Sequence, residues 1–210
     1  MFGLNTEETA LFKQLSTPEK IQSYLDDLPV NYEKKGETCN SPRVSIREQK
    51  AHCIEGAFIA ATAFWYHGER PLLLDLKTFN IKSDSDHVVA LYKKNGYWGS
   101  ISKTNHNVLR SRDPIYKTTR ELALSYFHEY FLATNGEKTM RTYSRPFSLK
   151  QFGSAWVTRE NGLWDIAEAL DTVPHFKITP DTQLKYITPA SQHERTVSII
   201  HEWTKDDPRT

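Results

Sequence analysis

Residues 53–65 read Cys-Ile-Glu-Gly-Ala-Phe-Ile-Ala-Ala-Thr-Ala-Phe-Trp. Wound as a helix, this stretch is small or apolar around almost its whole circumference. A helix of that kind has no face to give to water and must be enclosed by the rest of the chain. Gly56 costs about 1 kcal/mol relative to Ala inside a helix, so its presence predicts close approach by another element. His67-Gly68 supplies a C-terminal stop. Upstream the helical character reaches Ser45, and residues 45–66 read as one helical region. With 210 residues, the chain is long enough to bury such a helix without disulfide staples.

The flanking segments supply what encloses it. Residues 6–12 are helical in character. Ser16-Thr17-Pro18-Glu19 is a strong helix start, followed by Ile21, Tyr24, Leu25 and Leu28 at helical spacing, and Pro29 ends the run. Residues 31–42 are polar and read as a loop. After the apolar helix come a strand at 71–76, a turn at 83–86 and a strand at 87–92. Lys94-Asn95-Gly96 is hairpin chemistry, and 97–101 is the returning strand. Residues 118–131 form another helix. Residues 149–157 and 164–170 suit short helices, 176–187 alternates weakly, and 197–203 suits a last strand or helix. The expected class is α+β, with a helix packed on an antiparallel sheet and additional short elements. Asn135-Gly136 marks a stop. Residues 1–136 are expected to form the core with N-terminal helices, and 137–210 an extension that packs on it or makes a small subdomain.

Composition narrows the function. The formal net charge is +1 and the charged fraction 25%. A phosphate-backbone partner needs a basic excess, so nucleic acid is not expected. No stretch approaches the length of a membrane span, so no membrane partner is expected. Cys39 and Cys53 are too few for a disulfide framework, and no apolar leader precedes the first helix, which points to a reducing, cytoplasmic setting. No glycine-rich phosphate loop links a strand to a helix. His52, Cys53, Asp86 and His87 lack metal-ligand spacing, so neither metal nor other cofactor is expected.

Cys53 falls at the start of the apolar helix. There the unpaired N–H groups and the positive end of the dipole stabilise a thiolate and can also hold an oxyanion. His87 opens a strand beyond a turn, where an imidazole can face that helix end and accept the thiol proton. Each residue alone also fits an inert role, as a buried cysteine and a strand-end histidine.

Taken together, Cys53-Ile54-Glu55-Gly56-Ala57, then Asp86-His87-Val88-Val89-Ala90-Leu91-Tyr92, then Asn95-Gly96-Tyr97-Trp98, resemble the transglutaminase-like branch of the papain-like superfamily over about residues 45–105. That resemblance implies a papain/transglutaminase-like core and a thiol-dependent acyl-transfer enzyme acting on a peptide or protein. Amide or ester hydrolysis and transamidation both stay open. Four residues after Trp98, where the family places an Asp, stands Ser102. Ser102 or Asn105 is expected to orient His87, with Asp113 also near in sequence, and Gln49 is a candidate oxyanion donor. Loss of the acid leaves a second reading open, a catalytically degenerate papain-like module that binds a peptide or protein partner.

Overall fold

A computed structural model describes residues 2–79 and 84–197. Helices α1 (Thr6–Gln14), α2 (Pro18–Asp27), α3 (Pro42–Glu48) and α4 (Cys53–Tyr66) precede strands β1 (Leu72–Thr78), β2 (His87–Lys94), β3 (Tyr97–Ile101) and β4 (Arg112–Tyr116). Then come α5 (Thr119–Phe127), β5 (Met140–Ser144), β6 (Phe147–Ser148), two short 3-10 turns, α6 (Trp164–Thr172), β7 (His175–Lys177), α7 (Asp181–Leu184) and α8 (Gln192–Val197). The expected run at 197–203 lies, beyond its first residue, outside the described residues, as does Ser83 of the expected turn.

The strands make an open sheet in the order β4-β3-β2-β1-β5-β7, with β6 also paired to β1, and the pairings are antiparallel. The chain is thus α+β, as its pattern implied. The β2–β3 hairpin turns on Asn95 and Gly96, both at positive φ, which is why that dipeptide stands there. The strand that follows Gly136, β5, pairs with β1, so the segment after residue 136 is built into the same sheet.

Period-two alternation in β2 divides the core in two. Val88, Ala90 and Tyr92 face α4, in a cluster with Ala57, Phe58, Ala61, Phe64 and Trp156. Val89 and Leu91 face the other way, onto Leu122, Ala123 and Tyr126 of α5. Residues 55–64 are buried, and only the two ends of α4 reach partial exposure. Lys103 is the reason for Gly56: a Cβ there would stand 2.4 Å from the Lys103 Cβ. Lys103 is itself 1% exposed and donates its ammonium to Leu28 O.

One expectation about the helices fails. Residues 45–66 are not one helical region. Gln49 turns left-handed (φ 53°) and caps α3. Ala51 then leaves the helix to pair with the segment after α2, donating to Pro29 O at 3.1 Å and accepting from Asn31 N at 3.2 Å. Glu48, Gln49 and Lys50 are good helix formers, and this long-range pairing overrides them. The break gives α4 its own N-terminus at Cys53. Among the described residues, no helix is long and apolar enough to cross a membrane.

Candidate active site

Cys53 is the first residue of α4, with His52 in the extended conformation before it. The first intrahelical bond runs from Gly56 N to His52 O at 2.9 Å, so the N–H groups ahead of Gly56 lie at the open, positive end of the helix. Cys53 is part-exposed. Burial opposes charge on its thiol, but the neighbouring rings of His52 and His87 outweigh it and bring Cys53 down to about 5. Cys39, the other free cysteine, goes the opposite way: burial and the nearby Glu55 carboxylate push it up to about 12.

His87 stands at the first position of β2, where the end of the sheet meets the start of α4. It is 5% exposed, and its ring lies edge-on to Tyr126 at 6.4 Å between centroids. Its Nε2 is 2.8 Å from Ser102 Oγ, and Ser102 Oγ is 2.6 Å from Leu109 O. This chain decides the tautomer. The serine has one proton and gives it to the carbonyl, which can only accept, so Ser102 Oγ must accept from an Nε2–H. Neutral His87 therefore carries its lone pair on Nδ1. Ser102, fully buried, takes the third position after cysteine and histidine and brings no charge to it.

Ser102 is held in turn by α2. Gln22 Oε1 accepts from Ser102 N at 3.0 Å, and Gln22 Nε2 donates to Ser102 O at 2.9 Å. Tyr130 also borders the site: it donates to Ser85 O and feels the charge of Cys53.

The other sequence candidates lie elsewhere. Gln49 is not an oxyanion donor: its Nε2 donates to Ile46 O at 2.5 Å, and it lines a surface groove with Glu8, Arg43, Arg47 and Glu160. Its left-handed cap conformation turns it back onto α3. Asn105 does not hold the His87 ring; Ser102 does, and Asn105 Nδ2 is buried without a partner among the described residues. Asp113 is exposed on β4. No group of three metal-ligating side chains with metal-site geometry occurs among the described residues.

The reading from sequence missed Glu55. Its carboxylate is fully buried and takes four good hydrogen bonds: Thr38 Oγ1 at 2.8 Å, Asn40 N at 3.0 Å, His52 N at 3.0 Å and Asn31 Nδ2 at 3.1 Å. Burial works against the charge, yet the His52 ring and these donors hold the carboxyl down at about 2. The spacing of His52 and Glu55, three apart across a helix start, was the available signal, since a Glu at that position reaches back to the N-cap N–H. Gln22 left no signal at all.

No protein-family model and no curated protein matches this chain.

Proposed function

We propose that the chain is a thiol-dependent acyl-transfer enzyme of papain/transglutaminase-like type, with Cys53 as nucleophile and His87 as proton carrier. The observation that carries this reading is a part-exposed thiol at a helix N-terminus, brought down to about 5 with His87 among the causes, together with a His87 ring whose Nε2 is held by Ser102. The element order supports it as well: a buried helix opening on cysteine, a strand opening on histidine, and an antiparallel partner strand.

The Cys53 thiolate attacks a carbonyl carbon of a peptide or protein. A C–S bond forms, and the C–N or C–O bond of the substrate breaks. The His87 imidazolium gives its proton to the departing amine or alcohol. Neutral His87 then takes a proton from water or from an amine, whose attack on the thioester restores the thiolate. The open N–H groups at the start of α4 face the oxyanion formed in each step. Two free thiols suit a reducing compartment, and the cytoplasm is the proposed location.

Acyl trapping tests the proposal. The protein is incubated with a panel of activated esters and peptide amides and followed by intact mass. The expected result is an acyl adduct on Cys53, absent in Cys53→Ala and slow to turn over in His87→Ala. The uncharged Ser102 is the observation that favours the second reading, a peptide-binding module without turnover; Cys53 left unacylated by every substrate class would establish it.

A further inference from the structure

The tautomer of His87 depends on one backbone carbonyl, that of Leu109. Ser102 Oγ can accept from the ring only while its own proton goes there. Leu109 is an unusual residue for that place. Its φ is 57°, in the left-handed region that a leucine rarely adopts, and its side chain is 8% exposed within the α5-side core. A glycine would take this backbone without strain but would leave the core unfilled. A left-handed leucine persists only where its neighbours hold it from several sides.

Those neighbours lie outside the Cys53–His87–Ser102 group. Leu109 N donates at 3.2 Å to Oε2 of Glu129, just past the end of α5. The same oxygen accepts from Arg112 Nη2. Arg112 spends its other donors on the loop before β4 and on α5. Nη1 donates to Arg110 O at 3.1 Å and Ser111 O at 3.3 Å, Nε to Ser125 Oγ at 3.0 Å, and Nη2 also to Ser125 O at 3.3 Å. The guanidinium lies 4.1 Å over the ring of Tyr126, whose hydroxyl donates to Arg110 O at 3.0 Å. The charge of Glu129 is thus met by Arg112, and what it passes toward His87 is geometry.

We propose that Glu129 is a positioning residue for His87. It pins Leu109 in the left-handed conformation, so that the Leu109 carbonyl keeps the Ser102 proton and the ring keeps its lone pair on Nδ1. Without this anchor the strained backbone relaxes and the carbonyl turns away. Ser102 Oγ–H is then free to donate to Nε2. Exchanging through water, Nε2 loses its proton and Nδ1 gains one. The lone pair ends against Ser102, where it can take no proton from thiol or substrate. The proposal rests on His87 being the proton carrier of the reaction proposed above, and its readout is the ring itself.

Ring nitrogen NMR of the full-length protein reads the two neutral tautomers, with the His87 signals identified by their loss in His87→Ala. Wild type is expected in the Nε2–H form. In Glu129→Ala the ratio of Nε2–H to Nδ1–H forms should fall about three- to tenfold, the equivalent of one net hydrogen bond. Glu129→Gln, whose amide oxygen still accepts from Leu109 N, should stay closer to wild type. Arg120→Ala cuts a different bond of α5, to Ile178 O at 2.8 Å, and should leave the ring unchanged. A ratio unmoved in Glu129→Ala overturns the proposal. So does an equal change in Arg120→Ala, and so does a wild-type ring in the Nδ1–H form. If Glu129→Ala does not fold, Glu129→Asp takes its place, drawing the acceptor back by one methylene while keeping the charge, and a shifted or unshifted ratio decides in the same way. A failure of acyl trapping beside a Glu129-dependent tautomer would remove the proposed reaction and leave this assignment standing. Acyl trapping beside a Glu129-independent tautomer would do the reverse.

Discussion

Gln22 grips Ser102 at both ends of its backbone, accepting from its N–H at 3.0 Å and donating to its carbonyl at 2.9 Å. Eighty residues separate the two in sequence. The grip fixes the oxygen that fixes His87. Gln22→Ala should therefore cost about 1–3 kcal/mol of stability, as two part-buried hydrogen bonds. On an identified substrate it should lower kcat more than it raises KM, because a misdirected His87 slows proton transfer without removing a binding contact. Denaturant unfolding and steady-state kinetics check the two effects.

Ser102→Asp would restore the residue type that the sequence resemblance expects. It should nevertheless harm the protein. Leu109 O, 2.6 Å from the serine oxygen, needs a donor, and an aspartate offers a second acceptor in a fully buried place. The expected loss is on the order of 3 kcal/mol, measured by denaturant unfolding, with no gain in activity. A more active, equally stable variant would mean that the hydroxyl relay to Leu109 is dispensable.

Gly56→Ala normally stabilises a helix by about 1 kcal/mol. Here the sign should reverse, because the new methyl would meet the Lys103 stem at 2.4 Å. The expected destabilisation is about 1–3 kcal/mol. Lys103 adjoins Ser102, so the strain should also slow alkylation of Cys53. Thermal unfolding and alkylation rate, measured on one sample, check both.

Iodoacetamide should separate the two thiols cleanly. Cys53, brought down to about 5, should reach half its maximal rate near that pH. Cys39, pushed up to about 12 and 2% exposed, should stay unmodified in the native protein. Peptide mapping after a pH series reads both sites at once.

Acid stability follows from Glu55. Its folded value, about 2, lies below the ordinary 4.5, so it contributes stability in full above the ordinary value and loses it as pH falls from there toward 2. The shift corresponds to something on the order of 3 kcal/mol for this buried group. Urea midpoints measured between pH 5 and pH 2 should fall steeply in wild type and more gently in Glu55→Gln. His52 runs the other way: its raised value means stability present below 6.5 and lost only as pH climbs through the higher folded value.

What could be read from the chain alone was local. The all-round apolar pattern after Cys53, the Asn95-Gly96 turn and the His87 strand each state their own structure within a few residues. Ser102 was reachable because its place is counted along one hairpin. The rest depends on partners distant in sequence. Residues 49–52 leave the helix because Ala51 finds Pro29 and Asn31, and no local propensity foretells that. Gln49 was a wrong choice for the same reason: being four residues from Cys53 says nothing about direction once a left-handed residue intervenes. Glu55 looked like one more helix-start acid, and only the folded loop carrying Thr38 and Asn40 makes it a buried anion.

The sheet that carries His87 is open, and its two outer strands are poorly suited to extension. Strand β4 holds Pro114, which offers no N–H, and pairs irregularly with β3. Strand β7 is three residues long and ends on Lys177. An extended peptide gains little by lying alongside either one as an eighth strand. Recognition of a polypeptide by main-chain zippering at either of these two borders is thereby disfavoured. On the acyl-transfer reading proposed above, selectivity then belongs to side chains around the start of α4, and a guest would be read by the residue it presents there more than by the backbone that carries it.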